Sequence, residues 1–115
     1  MPKRSRAIAR ISPAALAAIF ERGQAVTVVD ARDPEDFFSS PLTILGAIAI
    51  PLDQIRSHLG RLTTGEPIVV FDACPGNRTS ERVARQIRTL GFDDVRVLEG
   101  GFIAWEGLEL PTMLH

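Results

Sequence analysis

The sequence predicts an α/β domain: a parallel sheet with helices on both faces. Two observations lead there. Helical and strand-like stretches alternate along the chain, and the connections between them are short. Strand-like stretches such as Ala47 to Ile50 and Ile68 to Phe71 are short and apolar throughout, as in strands covered on both sides.

Ser12-Pro13 opens the first helix, since Ser is a good N-cap and Pro suits the first helical position. Ala15, Leu16, Ile19 and Phe20 follow at helical spacing, and Gly23 offers a stop. Val26 to Val29 is a β-branched strand ending at Asp30. Asp33 to Phe38 reads as a short helical turn, and Ser39-Ser40-Pro41 as loop. Ala47 to Ile50 is a strand stopped by Pro51. Leu52, Ile55, Leu59 and Leu62 recur at helical spacing, predicting a helix from about Leu52 to Arg61. Ile68 to Phe71 is the clearest buried strand. Asp72 to Arg78 is loop, marked by Pro75, Gly76 and Asn77. A helix starts at Thr79 or Ser80, with Val83, Ile87 and Leu90 inside and Arg82, Arg85 and Arg88 towards solvent. Val95 to Leu98 is the last strand. Gly100-Gly101 turns the chain into a short helix from Phe102 to Trp105.

The chain has 115 residues, a net charge of −1 and a pI near 6.1, so it lacks the overall basic field of a nucleic-acid binder. No apolar run reaches the ~18–20 residues that span a bilayer. The basic start is followed by no apolar signal core, which predicts a cytoplasmic protein without membrane contact. One domain over residues 11–111 is expected, with a basic tip at 1–10 and a C-terminal tip at 112–115. Cys74 is the single cysteine, so no internal disulfide exists and no structural zinc site can be built on it. No metal and no cofactor are expected.

Chemistry concentrates in the loop that carries Cys74. The loop joins the end of a buried strand to a helix start, whose free N–H groups and dipole favour negative charge. A Pro- and Gly-containing loop can curl more N–H groups inward around an anion. A thiolate there is favoured, and Arg78 adds a positive charge. This cradle equally suits an anionic sulfur or oxyanion substrate. Taken alone, it does not separate sulfur transfer from phosphate-ester chemistry, and most free cysteines are small buried hydrophobes.

The flanking segments identify a resemblance. Val28-Val29-Asp30-Ala31-Arg32-Asp33-Pro34-Glu35-Asp36-Phe37 resembles the Asp-x-Arg-x-x-x-Glu-Phe segment of rhodanese domains. Gly46-Ala47-Ile48-Ala49-Ile50-Pro51 resembles their Gly-Ala-x-x-Ile-Pro element. Leu98-Glu99-Gly100-Gly101-Phe102-Ile103-Ala104-Trp105, with Leu110-Pro111 after it, is similar to their closing Gly-Gly-x-x-x-Trp signature. The resemblance covers about residues 11 to 111. It implies a five-stranded parallel sheet with helices on both faces. It also implies a sulfurtransferase whose Cys74 takes sulfur from a small anionic donor such as thiosulfate. The persulfide then passes its sulfur to cyanide or a thiol, including a thiol on a protein. The substrate-binding loop would be Pro75, Gly76, Asn77, Arg78, Thr79 and Ser80. The chain would act as a monomer or weak homodimer.

The sequence departs from the family pattern at three places. Asp72, not Cys, directly follows the strand. Its carboxylate would oppose a Cys74 thiolate and an anionic donor, or, pointing away, cap the loop through backbone N–H groups. Arg78 lies four positions after Cys74, where five is usual, and Thr79 fills the usual Arg position. Upstream, Thr43-Ile44-Leu45-Gly46-Ala47 replaces the usual His-Ile-Pro-Gly-Ala and reads as a surface change. These departures keep open an inactive rhodanese-like module that binds or regulates a partner. A phosphatase or arsenate reductase of similar fold is disfavoured, because such enzymes favour Arg six positions after Cys and Ser80 stands there. Asp30, Arg32 and Trp105 read as structural residues, and His58 as solvated.

Overall fold

The computed structural model describes residues 7–73 and 78–115. In chain order the elements are β1 (Ala9–Ile11), α1 (Pro13–Glu21), β2 (Thr27–Asp30), α2 (Pro34–Ser39), β3 (Leu42–Ile44) and β4 (Ile48–Ala49). Two 3₁₀ turns follow (Leu52–Gln54 and Arg56–Arg61). Then come β5 (Ile68–Phe71), α3 (Arg78–Thr89), β6 (Val95–Leu98), α4 (Gly101–Gly107) and β7 (Thr112–Leu114).

A five-stranded parallel sheet runs in the order β1-β6-β5-β2-β4, so β5 is central. Side chains alternate across it. Val29, Ile68, Val70, Val95 and Val97 face one layer, where they pack on Val83, Ala84 and Ile87 of α3 and on Ile55 and Leu62. Val28, Val69, Phe71 and Leu98 face the other layer, against Leu16 of α1 and Phe102 and Trp105 of α4. The α/β architecture with helices on both faces is the one expected.

The helix starts follow local chemistry. Ser12 Oγ accepts from the Ala15 N–H at 3.1 Å, and Asp33 Oδ1 accepts from the Asp36 N–H at 2.8 Å, each ahead of a Pro in the first turn. The stretch after Pro51 differs from the expected α-helix. It is two 3₁₀ turns, with Ile55 between them and Leu62 just after them buried in the core.

Both expected tips hold structure. Ala9–Ile11 pairs in parallel with Arg96–Leu98 and supplies the sheet's fifth strand. Thr112–Leu114 pairs antiparallel with Leu42–Ile44 in a separate two-stranded ribbon. The alternation of Ala9, Arg10 and Ile11 buries only Ile11, which hides an edge strand inside a basic-looking segment. Residues 1–6 of the basic tip lie outside the described residues. Among the described residues no helix is long and apolar enough to cross a membrane.

Candidate active site

The central strand delivers the loop. β5 ends at Phe71, beside Asp30 of β2 in the parallel register. In parallel α/β sheets ligands bind beyond such carboxyl ends. The chain leaves through Asp72 and Ala73 and re-enters the described structure at Arg78, which starts α3. Cys74, Pro75, Gly76 and Asn77 lie outside the described residues. Of the other expected site residues, Arg78 is exposed and makes no ion pair among the described residues. Thr79 is half-buried. Ser80 is fully buried at the base of α3.

Asp72 adopts the capping arrangement. Its Oδ1 accepts from the Ala73 N–H at 2.8 Å, and its Oδ2 accepts from the Ser80 N–H at 3.2 Å. One carboxylate thus ties together the two ends of the Cys74 loop. The Ser80 N–H belongs to the first turn of α3, where backbone donors lack helical partners. Negative charge there also meets the favourable end of the helix dipole.

The loop's entry is anchored from a third side. The Phe102 N–H donates to the Asp72 carbonyl at 2.8 Å, and the Ile103 N–H to the Ala73 carbonyl at 3.0 Å. The first-turn donors of α4 therefore find their acceptors in the backbone leading to Cys74. Gly100 sets this approach. Its φ of +76° is left-handed, and a Cβ there would stand 2.6 Å from the Ala104 Cβ.

Behind the loop lies a buried ionic network. Arg32 and Asp30 are 4% and 2% exposed. The Arg32 guanidinium donates through Nη2 to Asp30 Oδ2 at 2.7 Å and through Nε to Oδ1 at 3.0 Å, and Nη2 also reaches the Leu42 carbonyl at 2.9 Å. It lies 4.6 Å from the centroid of the Phe102 ring. Thr43 Oγ1 donates to Asp30 Oδ2 at 2.9 Å. Thr43 is thus buried and bonded, which corrects its reading as a surface change. Trp105 is fully buried, and its Nε1–H donates to the Pro111 carbonyl at 2.8 Å. Asp30, Arg32 and Trp105 therefore serve the fold. His58 is half-buried, with Nδ1 3.1 Å from Arg61 Nη1.

A cavity of about 190 Å³ opens against Ala73, between α2 and α4. Sequence reasoning did not find its acidic wall residues, Asp36 and Glu106. They come from segments 70 residues apart that only the fold joins. Among the described residues no three His, Asp or Glu side chains gather as a metal-ligating set.

The comparisons agree with this architecture. The Rhodanese-like domain model matches residues 12–108. An uncharacterized Bacillus subtilis protein, YqhL, is 32% identical over 80 residues, which are 70% of this chain and 60% of the YqhL length. Thiosulfate sulfurtransferase GlpE of Shewanella oneidensis is 32% identical over 82 residues, covering 71% of this chain and 77% of GlpE. The crystal structure of the BH2092 protein from Bacillus halodurans superposes with a TM-score of 0.80 at 26% identity, over 91% of this chain and 76% of that one. With the family model matched over residues 12–108, and the Gly-Gly turn and the buried Asp30–Arg32 pair beside the end of the central strand, the chain belongs to the rhodanese-like domain family.

Proposed function

We propose that the chain is a sulfurtransferase that carries sulfane sulfur on Cys74, from an anionic donor such as thiosulfate to a thiol or cyanide. The observation that carries this reading is the anchoring of the Cys74 loop. Its entry is fixed to α4, and Asp72 clamps its two ends across the start of α3. Borders fixed in this way reduce the ordering that a nucleophile carried between them would cost. The likeness to a thiosulfate sulfurtransferase supports the same chemistry.

In the first displacement the Cys74 thiolate attacks the outer sulfur of thiosulfate. The new S–S bond forms as the donor's S–S bond breaks, and sulfite leaves with the bonding pair. In the second, the acceptor attacks the outer sulfur and the electron pair returns to Cys74. One difficult transfer becomes two easier ones. Backbone N–H groups at the start of α3 and the Arg78 guanidinium favour the anionic partners in both steps.

Intact mass after incubation with thiosulfate tests the proposal. A gain of one sulfur, about 32 Da, reversed by cyanide or dithiothreitol, is the expected result. Cys74→Ser should show no gain, since no second cysteine exists. A wild-type chain that never gains sulfur would instead be a rhodanese-like binding module.

A further inference from the structure

A cavity of about 850 Å³ lies between α3 and the two 3₁₀ turns. Small-molecule sites usually hold about 300–1,000 Å³. Asp72, Ala73 and Ser80, which border the Cys74 loop, are not among its walls. Arg82, Arg85, Gln86, Thr89 and Leu90 recur at helical spacing and form one wall along about 12 Å of α3. Leu52, Ile55 and Leu90 give the cavity an apolar floor continuous with the core. Its charges do not balance. Three guanidiniums, Arg56, Arg82 and Arg85, meet one carboxylate, Asp53, a net of +2 on a chain whose own net charge is −1. Arg56 and Arg82 have no ion pair or hydrogen-bond partner among the described residues. The α3 arginines that read as a solvated side in the sequence are thus one wall of a half-apolar cleft.

We propose that this cavity binds a phosphate monoester with a planar apolar body, of about the size of a nucleoside monophosphate. A phosphate monoester carries close to two negative charges at neutral pH, which match the net of +2; a single carboxylate would match half of it. Guanidiniums grip phosphate oxygens through paired N–H donors, and their planes stack on flat rings. The planar body would cover Leu52, Ile55 and Leu90. Asp53, which only accepts, suits hydroxyl hydrogens between the two ends. A nucleoside monophosphate and an aryl phosphate share the charge and the flat body, and only the first offers Asp53 a sugar hydroxyl.

AMP, naphthyl phosphate, adenosine and inorganic phosphate are titrated into the full chain, with calorimetry for affinity and proton–nitrogen correlation spectra for location. AMP or naphthyl phosphate should shift the amides of residues 52–57 and 82–90. It should bind roughly ten-fold or more tightly than adenosine or inorganic phosphate, each of which fills one half of the site. Arg56→Gln and Arg82→Gln, exposed and on different elements, should each weaken it roughly five- to ten-fold and leave adenosine unaffected. Arg82→Lys keeps the charge without the fork and should fall between. Asp53→Ala removes a repelling charge for both phosphates, so their affinity ratio is the readout. A ratio that turns against AMP marks a nucleotide as the ligand, and a constant ratio marks an aryl phosphate. Inorganic phosphate binding as tightly as AMP and naphthyl phosphate would mean an adventitious ion only. Shifts confined to Asp72, Ala73 and Ser80 would put the phosphate at the Cys74 loop. Either result overturns the proposal, as does the absence of any shift or an affinity that neither Gln variant changes.

Discussion

Replacing Asp72 by Ala tests whether its carboxylate clamps the Cys74 loop or merely opposes the thiolate. The substitution removes two acceptors, one for the Ala73 N–H at 2.8 Å and one for the Ser80 N–H at 3.2 Å. A hydrogen bond to a charged group contributes about 1.5–3 kcal/mol. Asp72 is half-buried, so water replaces part of each bond, and the longer contact is the weaker. A total loss of about 2–3 kcal/mol follows. At this chain length ~1 kcal/mol moves Tm by roughly 4 °C, so a fall of about 8–12 °C is expected. Asp72→Asn keeps one carbonyl acceptor but turns an amide NH₂ towards the other N–H, and should lose about half as much.

The backbone of Asp72 and Ala73 should hold its place in both variants, because Phe102 and Ile103 still donate to its carbonyls. Damage should therefore concentrate at the loop and the first turn of α3. Urea unfolding gives the stability, and amide exchange at Ala73 and Ser80 gives the location. Iodoacetamide alkylation of Cys74 across pH separates the two roles. Under a clamp the stability falls while the pH midpoint of alkylation stays in place, whereas pure repulsion lowers that midpoint with no loss of stability. An Asp72→Ala protein within 0.5 kcal/mol of the wild type, on the scale of an ordinary surface change, would refute the clamp.

Three further outcomes are expected. Arg78→Ala should slow thiosulfate turnover a few-fold at low salt, the difference fading at high salt, because an exposed guanidinium acts through a screened field. Asp30→Asn should cost about 3–5 kcal/mol in urea unfolding, since it leaves the buried Arg32 charge without its carboxylate. Gly100→Ala should lower Tm by several degrees, as Ala is strained at a φ of +76° and its Cβ would collide with Ala104; an unchanged Tm would show that the turn relaxes freely.

Much of the fold was legible in residue patterns. Ile68–Phe71 is apolar throughout because both faces of the sheet are covered there, and Val95–Leu98 is apolar except for Arg96; the sequence reading places both strands where they lie. Ser12-Pro13 marks α1 because the cap is a local interaction. What escaped depends on distant partners. β3 and β7 are three residues each, and neither makes sense without the other some 70 positions away. Thr43 looked superficial because its partner, Asp30, lies on another strand. Asp72 left two roles open because Ser80, the residue it bonds, follows only after the loop has turned back.

The hydrogen bonds around Asp72 and Ala73 also show how so small a domain fixes the end of its central strand. Three sets of backbone groups meet there. First-turn donors of α4 and of α3 have no intrahelical acceptors, and the backbone leaving β5 offers carbonyls beyond its last strand pairing. They are joined within two residues of Phe71, through Asp72 and Ala73. The Asp30–Arg32–Thr43 network does the same one strand away, tying β2 to the segment that carries β3. An insertion between Phe71 and Ala73 would break this pairing of donors with acceptors. The borders of the loop are therefore constrained by the fold.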